Sequence, residues 1–293
     1  MINLVFDYMQ KINQTVLMSG VEYFSVEELN PYSHASDQPD IEIAKREFLN
    51  IKKALESSGV KVIKTDAPKD CQDGIYTANW GLCRGDKVVL SSLVNMRQPE
   101  EPTARKVLQS LGKETIAPPY PFSGQGDALP CGDLLFIGQT YRTDPRMHRF
   151  IANKLGFNVI SLETVPLLDE RGSPIINKVT GFPDSYFYDL DLALSVLSTD
   201  LIAWCPGAFT AKSQTTIRKL AINKIEVSLD EALKGFACNL VSTGETVVMS
   251  NHAPKLKAAI EARGLKTINP EITELAKGGG YIRCTTLTLD NQS

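Results

Sequence analysis

Apolar and β-branched residues recur along the chain in short runs that are interrupted by tight-turn residues. Each run of this kind predicts a β-hairpin: a strand of about four residues, a turn, and a second strand that is more hydrophobic. Four segments fit the pattern, namely NWGLCRGDKVVLSS, GDALPCGDLLFIGQ, LALSVLSTDLIAWCP and CNLVSTGETVVMSN, with turns at Gly85-Asp86, Gly132-Asp133, Thr199-Asp200 and Thr243-Gly244. The turns lie 47, 67 and 44 residues apart (85 to 132, 132 to 199, 199 to 243). A spacing in this range is typical of repeated supersecondary units.

A helix-like stretch follows each hairpin, and several of these stretches end at glycine, as helices commonly do. They are EEPTARKVLQSLG, DPRMHRFIANKLG, TAKSQTTIRKLAINK and NHAPKLKAAIEARG, and short strands such as FNVISLE, KIEVSL and LKTIN come after them. The repeated unit is therefore strand, strand, helix, strand. A fifth unit would combine the C-terminal GYIRCTTLTL with QTVLMSG, the helix DIEIAKREFLNIKKALESSG and the strand VKVIKT. Such a unit would bring the two ends of the chain together.

The pattern indicates an α/β fold, and two arrangements of its units are compatible with it. Five units in a ring would place the first strand of every hairpin around one central cavity. The alternative is an open α/β sheet with irregular insertions. Only the ring would gather residues that are distant in sequence into a single site.

Composition limits the classes of partner. The 293 residues are 43% hydrophobic and 22% charged, which is ordinary for a globular protein, and we expect a single domain over residues 1–293. No apolar run reaches the ~20 residues of a membrane span, and the N-terminal MINLVFDYMQKINQ lacks the pattern of an export signal, so we expect a cytoplasmic protein. A net charge of −3 without a basic block argues against nucleic acid or an anionic membrane as partner. A small molecule is the expected ligand, and the oligomeric state stays open, a homo-oligomer included.

Six cysteines are scattered along the chain without CxxC pairs, and none of the three histidines is close to a cysteine in sequence. Zinc-ligand spacing is therefore absent, and no metal site is expected. Without an export signal the thiols should be reduced, and five of them are interpreted as small buried hydrophobic residues. Cys284 is the exception because of the motif around it.

Three motifs resemble those of the guanidino-group-modifying enzymes, the superfamily of arginine deiminases, dimethylarginine hydrolases and amidinotransferases. YTANWGL (76–82) resembles a Phe-Thr-Ala-Asn-x-Gly-Leu signature, and FSGQGDALPCGDLLFIGQTYRTD (122–144) resembles a Gly-x-Gly-Asp-Ala-Leu segment followed by Arg-Thr/Ser-Asp. AKGGGYIRCTTLTL (276–289) resembles the Gly-Gly-Gly-x-x-Cys-x-Thr-Leu ending that carries the nucleophile. Weaker matches occur at ELNPYS (28–33) and FYDLDLAL (187–194), so the resemblance covers nearly the whole chain.

The resemblance implies a five-bladed α/β propeller (the pentein fold) that acts without a cofactor on arginine or a similar molecule. The Cys284 thiolate would attack the guanidino carbon and form a covalent adduct while an amine leaves. The subgroup signatures favour hydrolysis, of the deiminase or dihydrolase type, over amidino transfer, which stays open as an alternative.

Each remaining site residue has a chemical interpretation. Carboxylates match a planar guanidinium, and Asp127 and Asp191 stand at hairpin entrances, where Asn79 offers a neutral amide. The substrate carboxylate needs a cation, for which Arg142 and Arg97 are the candidates. Asn30 would be a polar contact from the N-terminal loop.

The third hairpin departs from the family pattern. Members generally have His-Leu-Asp there, whereas this chain has Asp189-Leu190-Asp191. Asp189 could act as an acid only if its surroundings raised its pKa. Neither His34, His148 nor His252 is assigned in place of the missing histidine. A slow enzyme, an altered mechanism and an inactive arginine-binding protein therefore all stay open.

Overall fold

The computed structural model describes residues 11–139 and 141–291. The interpretation of the N-terminus as lacking an export signal rests mainly on residues 1–10, which lie outside the described residues. Within the described residues, no helix is long and apolar enough to cross a membrane.

The described strands form five sheets of three strands each. In every sheet a central strand pairs antiparallel with one neighbour and parallel with the other. The strands are β1 (Thr15–Ser19), β2 (Lys61–Thr65), β3 (Gly81–Arg84), β4 (Lys87–Leu90), β5 (Glu114–Ile116), β6 (Ala128–Cys131), β7 (Leu134–Gly138), β8 (Asn158–Leu162), β9 (Leu194–Ser198), β10 (Leu201–Trp204), β11 (Asn223–Glu226), β12 (Val241–Ser242), β13 (Thr246–Val248), β14 (Lys266–Ile268) and β15 (Leu287–Thr288).

A helix connects the two parallel strands of each sheet, as a parallel connection requires. The helices are α1 (Ile41–Ser57), α2 (Glu101–Ser110), α3 (Arg146–Leu155), α4 (Ala211–Lys219), α5 (Leu229–Gly235) and α6 (Pro254–Glu261). The predicted strand-strand-helix-strand unit is therefore confirmed for β3-β4-α2-β5 and its three successors. The short helix α5 lies between two units and has no counterpart in the sequence prediction.

The fifth unit is also confirmed, and it is assembled from both ends of the chain. Strand β1 pairs antiparallel with β15, with Val16 opposite Thr288, and parallel with β2. Helix α1 connects β1 to β2. Asp40 caps this helix by accepting hydrogen bonds from the N–H groups of Glu42 and Ile43, which satisfies donors that the helix leaves free.

Local sequence explains two kinds of hairpin turn. In the first hairpin Gly85 has φ 57°, a left-handed conformation that glycine adopts without steric cost. The third turn contains no glycine; instead the Ser198 hydroxyl donates to Asp200 Oδ1 (2.6 Å), and the register shifts between Leu201 and Ile202. The shift is a β-bulge, in which one strand has one more residue than its partner.

Hydrogen bonds connect the sheets to one another. They run from Asn291 Nδ2 to Cys83 O (3.0 Å), from Arg84 Nη1 to Leu155 O (3.2 Å), from Cys131 Sγ to Ser198 O (3.6 Å), from Ser242 Oγ to Leu197 O (2.6 Å) and from Asn13 Nδ2 to Ser242 O (2.8 Å). Each bond joins one three-stranded unit to the unit that precedes or follows it.

Short 3-10 turns precede the first strands of the hairpins, and the sequence analysis did not predict them. Thr77–Trp80, Gly124–Gly126 and Leu190–Leu192 lead into β3, β6 and β9, and Leu275–Gly278 precedes the segment that carries Cys284. These turns set the direction of the polar side chains that the sequence analysis assigned to a site.

Candidate active site

Cys284 lies in the turn that leads into β15, after three consecutive glycines. Gly279 has φ 89°, and a Cβ there would lie 2.3 Å from Asn30 Oδ1. A Cβ on Gly280 would lie 2.9 Å from the Cβ of Cys284. The run of glycines therefore allows this loop to pass between Asn30 and the thiol, an approach that side chains would prevent.

The Cys284 thiol has two polar side-chain contacts. It donates to Asp191 Oδ2 (3.4 Å), and it accepts a hydrogen bond from Asn239 Nδ2 (3.1 Å). Only 3% of Cys284 is exposed. Burial raises the pKa of the thiol well above its usual value, and the negative charge of Asp191 raises it further. In the absence of a bound cation the thiol is therefore protonated at neutral pH.

Three carboxyl groups are buried close to each other: Asp127, Asp189 and Asp191. Burial raises the pKa of Asp127 and of Asp191 well above the usual range, and in both cases the charge of Asp189 is the next largest cause. Asp127 Oδ1 accepts the backbone N–H of Leu190 (3.1 Å). Asp191 Oδ1 is buried and has no hydrogen-bond partner among the described residues. A buried acceptor without a donor is costly, so this oxygen is matched to a donor from a ligand.

Asp189 is surrounded by hydrogen-bond donors. Asn79 Nδ2 donates to its Oδ2 (2.9 Å) and the Ser123 hydroxyl donates to its Oδ1 (2.8 Å). Arg142 Nη1 lies 3.6 Å from Asp189 Oδ2. All three neighbours therefore offer hydrogen-bond donors to this carboxyl group.

The two candidate arginines have different surroundings. Arg97, which is buried, pairs with both carboxylate oxygens of Glu100 (2.7 and 2.8 Å) and donates to Asn79 Oδ1 (2.7 Å) and to two backbone carbonyls. Most of its N–H donors are therefore in use. Arg142 stacks on the Tyr188 ring at 4.1 Å and donates to Leu29 O (3.3 Å), in addition to its ion pair with Asp189. Arg142 has more capacity for a further acceptor.

Asn30 joins the N-terminal loop to the glycine run. Its Nδ2 donates to Gly278 O (3.0 Å), and its Oδ1 accepts the backbone N–H of Tyr32 (3.0 Å). The Tyr188 hydroxyl donates to the next carbonyl, Gly279 O (2.7 Å). The loop over the thiol is thus held from two directions.

Arg283, the residue before Cys284, was not assigned to the site and contacts residues outside the assigned set. Arg283 donates to Thr288 Oγ1 (2.9 Å) and Gln125 Oε1 (3.1 Å). It lines a cavity of about 270 Å³, which does not include Cys284 among its lining residues. The site itself is closed, since Asp189 and Asp191 are at most 1% exposed.

All eight predicted site residues lie together, and no histidine accompanies them. His34 and His252 are exposed, and His148 contacts the carbonyl of Gly138 (2.9 Å). The sequence analysis missed Asn239 and Ser123, which contact Cys284 and Asp189. The signal for Asn239 was its position: it stands two residues before the fourth hairpin, as Asn79 stands before the first.

Comparisons with known proteins agree with this geometry. They show that the chain is a member of the guanidino-group-modifying superfamily. Within it, the chain belongs to the family described as N,N dimethylarginine dimethylhydrolase, eukaryotic, whose model matches residues 27–290.

Two bacterial proteins are among the relatives of this chain. The N(G),N(G)-dimethylarginine dimethylaminohydrolase of Mycobacterium tuberculosis is 30% identical over 89% of this chain and 80% of its own length. The bifunctional arginine dihydrolase/ornithine cyclodeaminase AgrE of a Nostoc species is 32% identical over 75% of this chain, but only 29% of AgrE is covered.

A solved structure matches over almost the entire chain. It is the N-terminal domain of ArgZ, a cyanobacterial arginine dihydrolase, bound to its product, with a TM-score of 0.84 and 27% identity over 95% of this chain and 98% of that domain. An asparagine-to-serine variant of the ArgZ domain has been solved with a covalently bound reaction intermediate.

Proposed function

We propose that this protein is a hydrolase that acts on the guanidino carbon of arginine or an arginine-like small molecule through a covalent Cys284 adduct. The observation that carries the proposal is the pairing of the thiol with Asp191. One oxygen of this carboxylate contacts Sγ at 3.4 Å and the other is buried without a partner. A guanidinium that donated its N–H groups to this second oxygen would place its carbon next to the sulfur.

Charge supports a cationic substrate. Among the described residues, Arg142 forms the only ion pair with the three buried carboxyl groups, and burial raises the pKa of two of these groups and of the thiol. A bound guanidinium would stabilise the ionised forms of all of them. Substrate binding would therefore help to generate the thiolate, which is the reactive form of cysteine.

The chemistry requires two steps. Sulfur bonds to the guanidino carbon, and the bond from that carbon to the leaving nitrogen breaks as the nitrogen gains a proton, which leaves an S-linked amidino adduct. Water then adds to the adduct carbon and loses a proton, and the carbon–sulfur bond breaks to restore the thiolate. Asp127 and Asp191 hold the cation in this scheme, and Asn79 contributes an amide beside them.

The other end of the substrate needs a cation for its carboxylate. Because the donors of Arg97 are occupied by Glu100, Asn79 and backbone carbonyls, we assign this contact to Arg142. Arg97 then serves to orient Asn79. Asn30 completes the enclosure by fixing the loop at Gly278.

The proposed reaction needs a group that carries protons. This requirement is the least well met, because in our assignment Asp189 stands where the family has a histidine. Donors from Asn79, Ser123 and Arg142 already surround its two carboxyl oxygens. An arginine-binding protein with impaired or absent turnover is therefore the second candidate function. Amidino transfer from the same adduct is a third, although the named relatives are hydrolases.

The proposal includes a closed propeller. The hydrogen bonds between units run in a cycle that returns from the last sheet to the first through Asn13 and Ser242, which supports five blades around one cavity within a single domain. This arrangement would explain how five hairpin entrances contribute to one site.

Turnover and adduct formation test the function together. The protein is incubated with arginine and separately with dimethylarginine, and ammonia, dimethylamine, citrulline and ornithine are measured. Mass spectrometry after acid quenching should show an adduct on the peptide of Cys284, and Cys284→Ala should lose turnover but retain arginine binding. Cys83→Ala, which removes a buried thiol outside the site, is the control.

Each outcome selects one candidate. Citrulline with ammonia or dimethylamine supports hydrolysis, whereas ornithine formed only when an acceptor amine is added supports amidino transfer. Arginine binding without any product or adduct supports the binding protein. An adduct on a cysteine other than Cys284 would refute the assignment of the nucleophile.

A further inference from the structure

Asn239 lies at the entrance of the fourth hairpin, two residues before β12, and is fully buried. Its side chain faces the thiol rather than the solvent. Nδ2 lies 3.1 Å from Cys284 Sγ, and Oδ1 accepts the backbone N–H of Cys284 at 3.1 Å. One side-chain amide therefore binds both the main chain and the reactive atom of the same residue.

The orientation of this amide is determined by its partners. If the oxygen and nitrogen exchanged places, the NH₂ group would face the N–H of Cys284, and two donors would oppose each other. In the observed orientation the donor points to sulfur, with Asp191 O as a further acceptor at 3.4 Å. The amide is thus fixed with its partial positive charge on the thiol.

The other influences on Cys284 oppose its ionisation. Burial raises the pKa of the thiol, and so do the charges of Asp191 and Asp189. The influences that lower it are a hydrogen bond from the Tyr281 backbone and the one from Asn239. Asn239 is the side chain that favours the thiolate before a substrate arrives.

We infer that Asn239 is a catalytic residue: its amide holds the Cys284 sulfur in place through two hydrogen bonds and stabilises the thiolate that attacks the guanidino carbon. This assignment rests on the proposed function of Cys284 as nucleophile. The role differs from that of Asp191, which contacts the same sulfur as a carboxylate and would bind the cation.

The substitution Asn239→Asp separates the two halves of the contact. The carboxylate keeps an acceptor for the N–H of Cys284, but it replaces the donor to sulfur by a negatively charged oxygen. Asn269→Asp is the matched control, because Asn269 Nδ2 also donates to two buried partners, Met249 O (3.3 Å) and Ser250 O (3.2 Å), and has no contact with Cys284. Asn239→Ala serves as the second variant if the aspartate variant does not fold.

The measurement is the pH dependence of iodoacetamide alkylation at Cys284, followed on its peptide by mass spectrometry without any substrate. A hydrogen bond to a charged group contributes ~1.5–3 kcal/mol, which corresponds to alkylation about 10- to 150-fold slower at a fixed pH below the thiol pKa. We expect this loss, and a shift of the profile to higher pH, in both Asn239 variants but not in Asn269→Asp. Turnover of arginine should fall in parallel.

An unchanged alkylation profile in a folded Asn239 variant would overturn the inference, and so would an equal shift in Asn269→Asp. Because alkylation requires no turnover, the result is distinct from the test of the proposed function. A shifted profile in a protein that does not process arginine would support Asn239 and refute the proposed hydrolase.

Discussion

Replacing Asp191 by asparagine should make the folded protein less sensitive to pH while weakening its binding of arginine. The change preserves the shape of the side chain and removes its charge. It acts on a carboxyl group that contacts Cys284 with one oxygen and has no partner for the other. Stability and ligand binding should therefore respond in opposite directions.

The stability effect follows from the raised pKa of Asp191. Burial and the charge of Asp189 favour the protonated carboxyl in the folded state. Stability from this preference is fully present below the unfolded pKa of about 3.9 and is lost as the pH rises toward the folded pKa. At 1.36 kcal/mol per pH unit, the loss at pH 7 is at most about 4 kcal/mol. The asparagine variant should not show this loss.

The binding effect follows from the missing charge. Each hydrogen bond from a guanidinium to this carboxylate contributes ~1.5–3 kcal/mol, so arginine should bind roughly 10- to 150-fold more weakly. Citrulline, whose ureido group is neutral, should lose much less. In the unchanged protein, arginine binding should release protons and strengthen as the pH rises, because the cation favours the ionised carboxylate.

Urea unfolding from pH 4 to pH 8 and titration calorimetry with arginine and citrulline measure both effects. Binding is compared in the Cys284→Ala background, so that turnover does not interfere. Asp86→Asn, at the exposed tip of the first hairpin, is the control and should leave both properties unchanged. Asp127 keeps its raised pKa in the variant, so part of the pH dependence should remain. If Asp191→Asn lost as much stability between pH 4 and pH 7 as the parent does, or bound arginine and citrulline with equal losses, the assigned role of Asp191 would be wrong.

Three further substitutions test other parts of the site. Asp189→His should preserve binding and accelerate turnover near pH 7, by no more than ~10²–10⁴-fold, and the pH–rate profile should gain a limb near ~6.5 that Asp189→Asn lacks. Slower turnover with intact binding would instead show that Asp189 itself takes part in the reaction. Glu47→Gln should cost about 1–3 kcal/mol in urea unfolding, because this buried carboxylate accepts N–H groups from residues 273–275, whereas the exposed Glu56→Gln should change little. Gly279→Ala should lower turnover more than Gly112→Ala, since both have positive φ but only the first would meet Asn30; equal activity of the two would contradict this contact.

The repeating architecture could be predicted because its determinants are local. Turn residues and alternating apolar positions mark the four hairpins, and helical periodicity marks the segments after them. The fifth sheet could be predicted as well, since the strand sequences at the two ends lack a partner elsewhere. The 3-10 turns could not be predicted, because three or four residues leave no periodic pattern.

The chemistry of the site was predictable where a motif names the residue, and less so where neighbours decide its state. Arg97 has the right sequence context for a substrate clamp, yet Glu100 three residues later occupies its guanidinium. Whether such a pair faces solvent or the interior depends on the tertiary packing of a 3-10 turn. Asn239, in contrast, was not assigned, because an asparagine before a turn usually makes only local hydrogen bonds.

Pairing of β1 with β15 also determines when the site can form. Val16 lies opposite Thr288, so this contact joins segments that are far apart in sequence and leave the ribosome at different times. Contacts of such sequence separation form slowly because a large loop must close first. The segment that carries Cys284 leads directly into β15, so the nucleophile reaches its carboxylates only when this last sheet is complete. A nascent chain therefore cannot present a reactive, assembled site before the segment with Cys284 and β15 has been translated and has paired with β1.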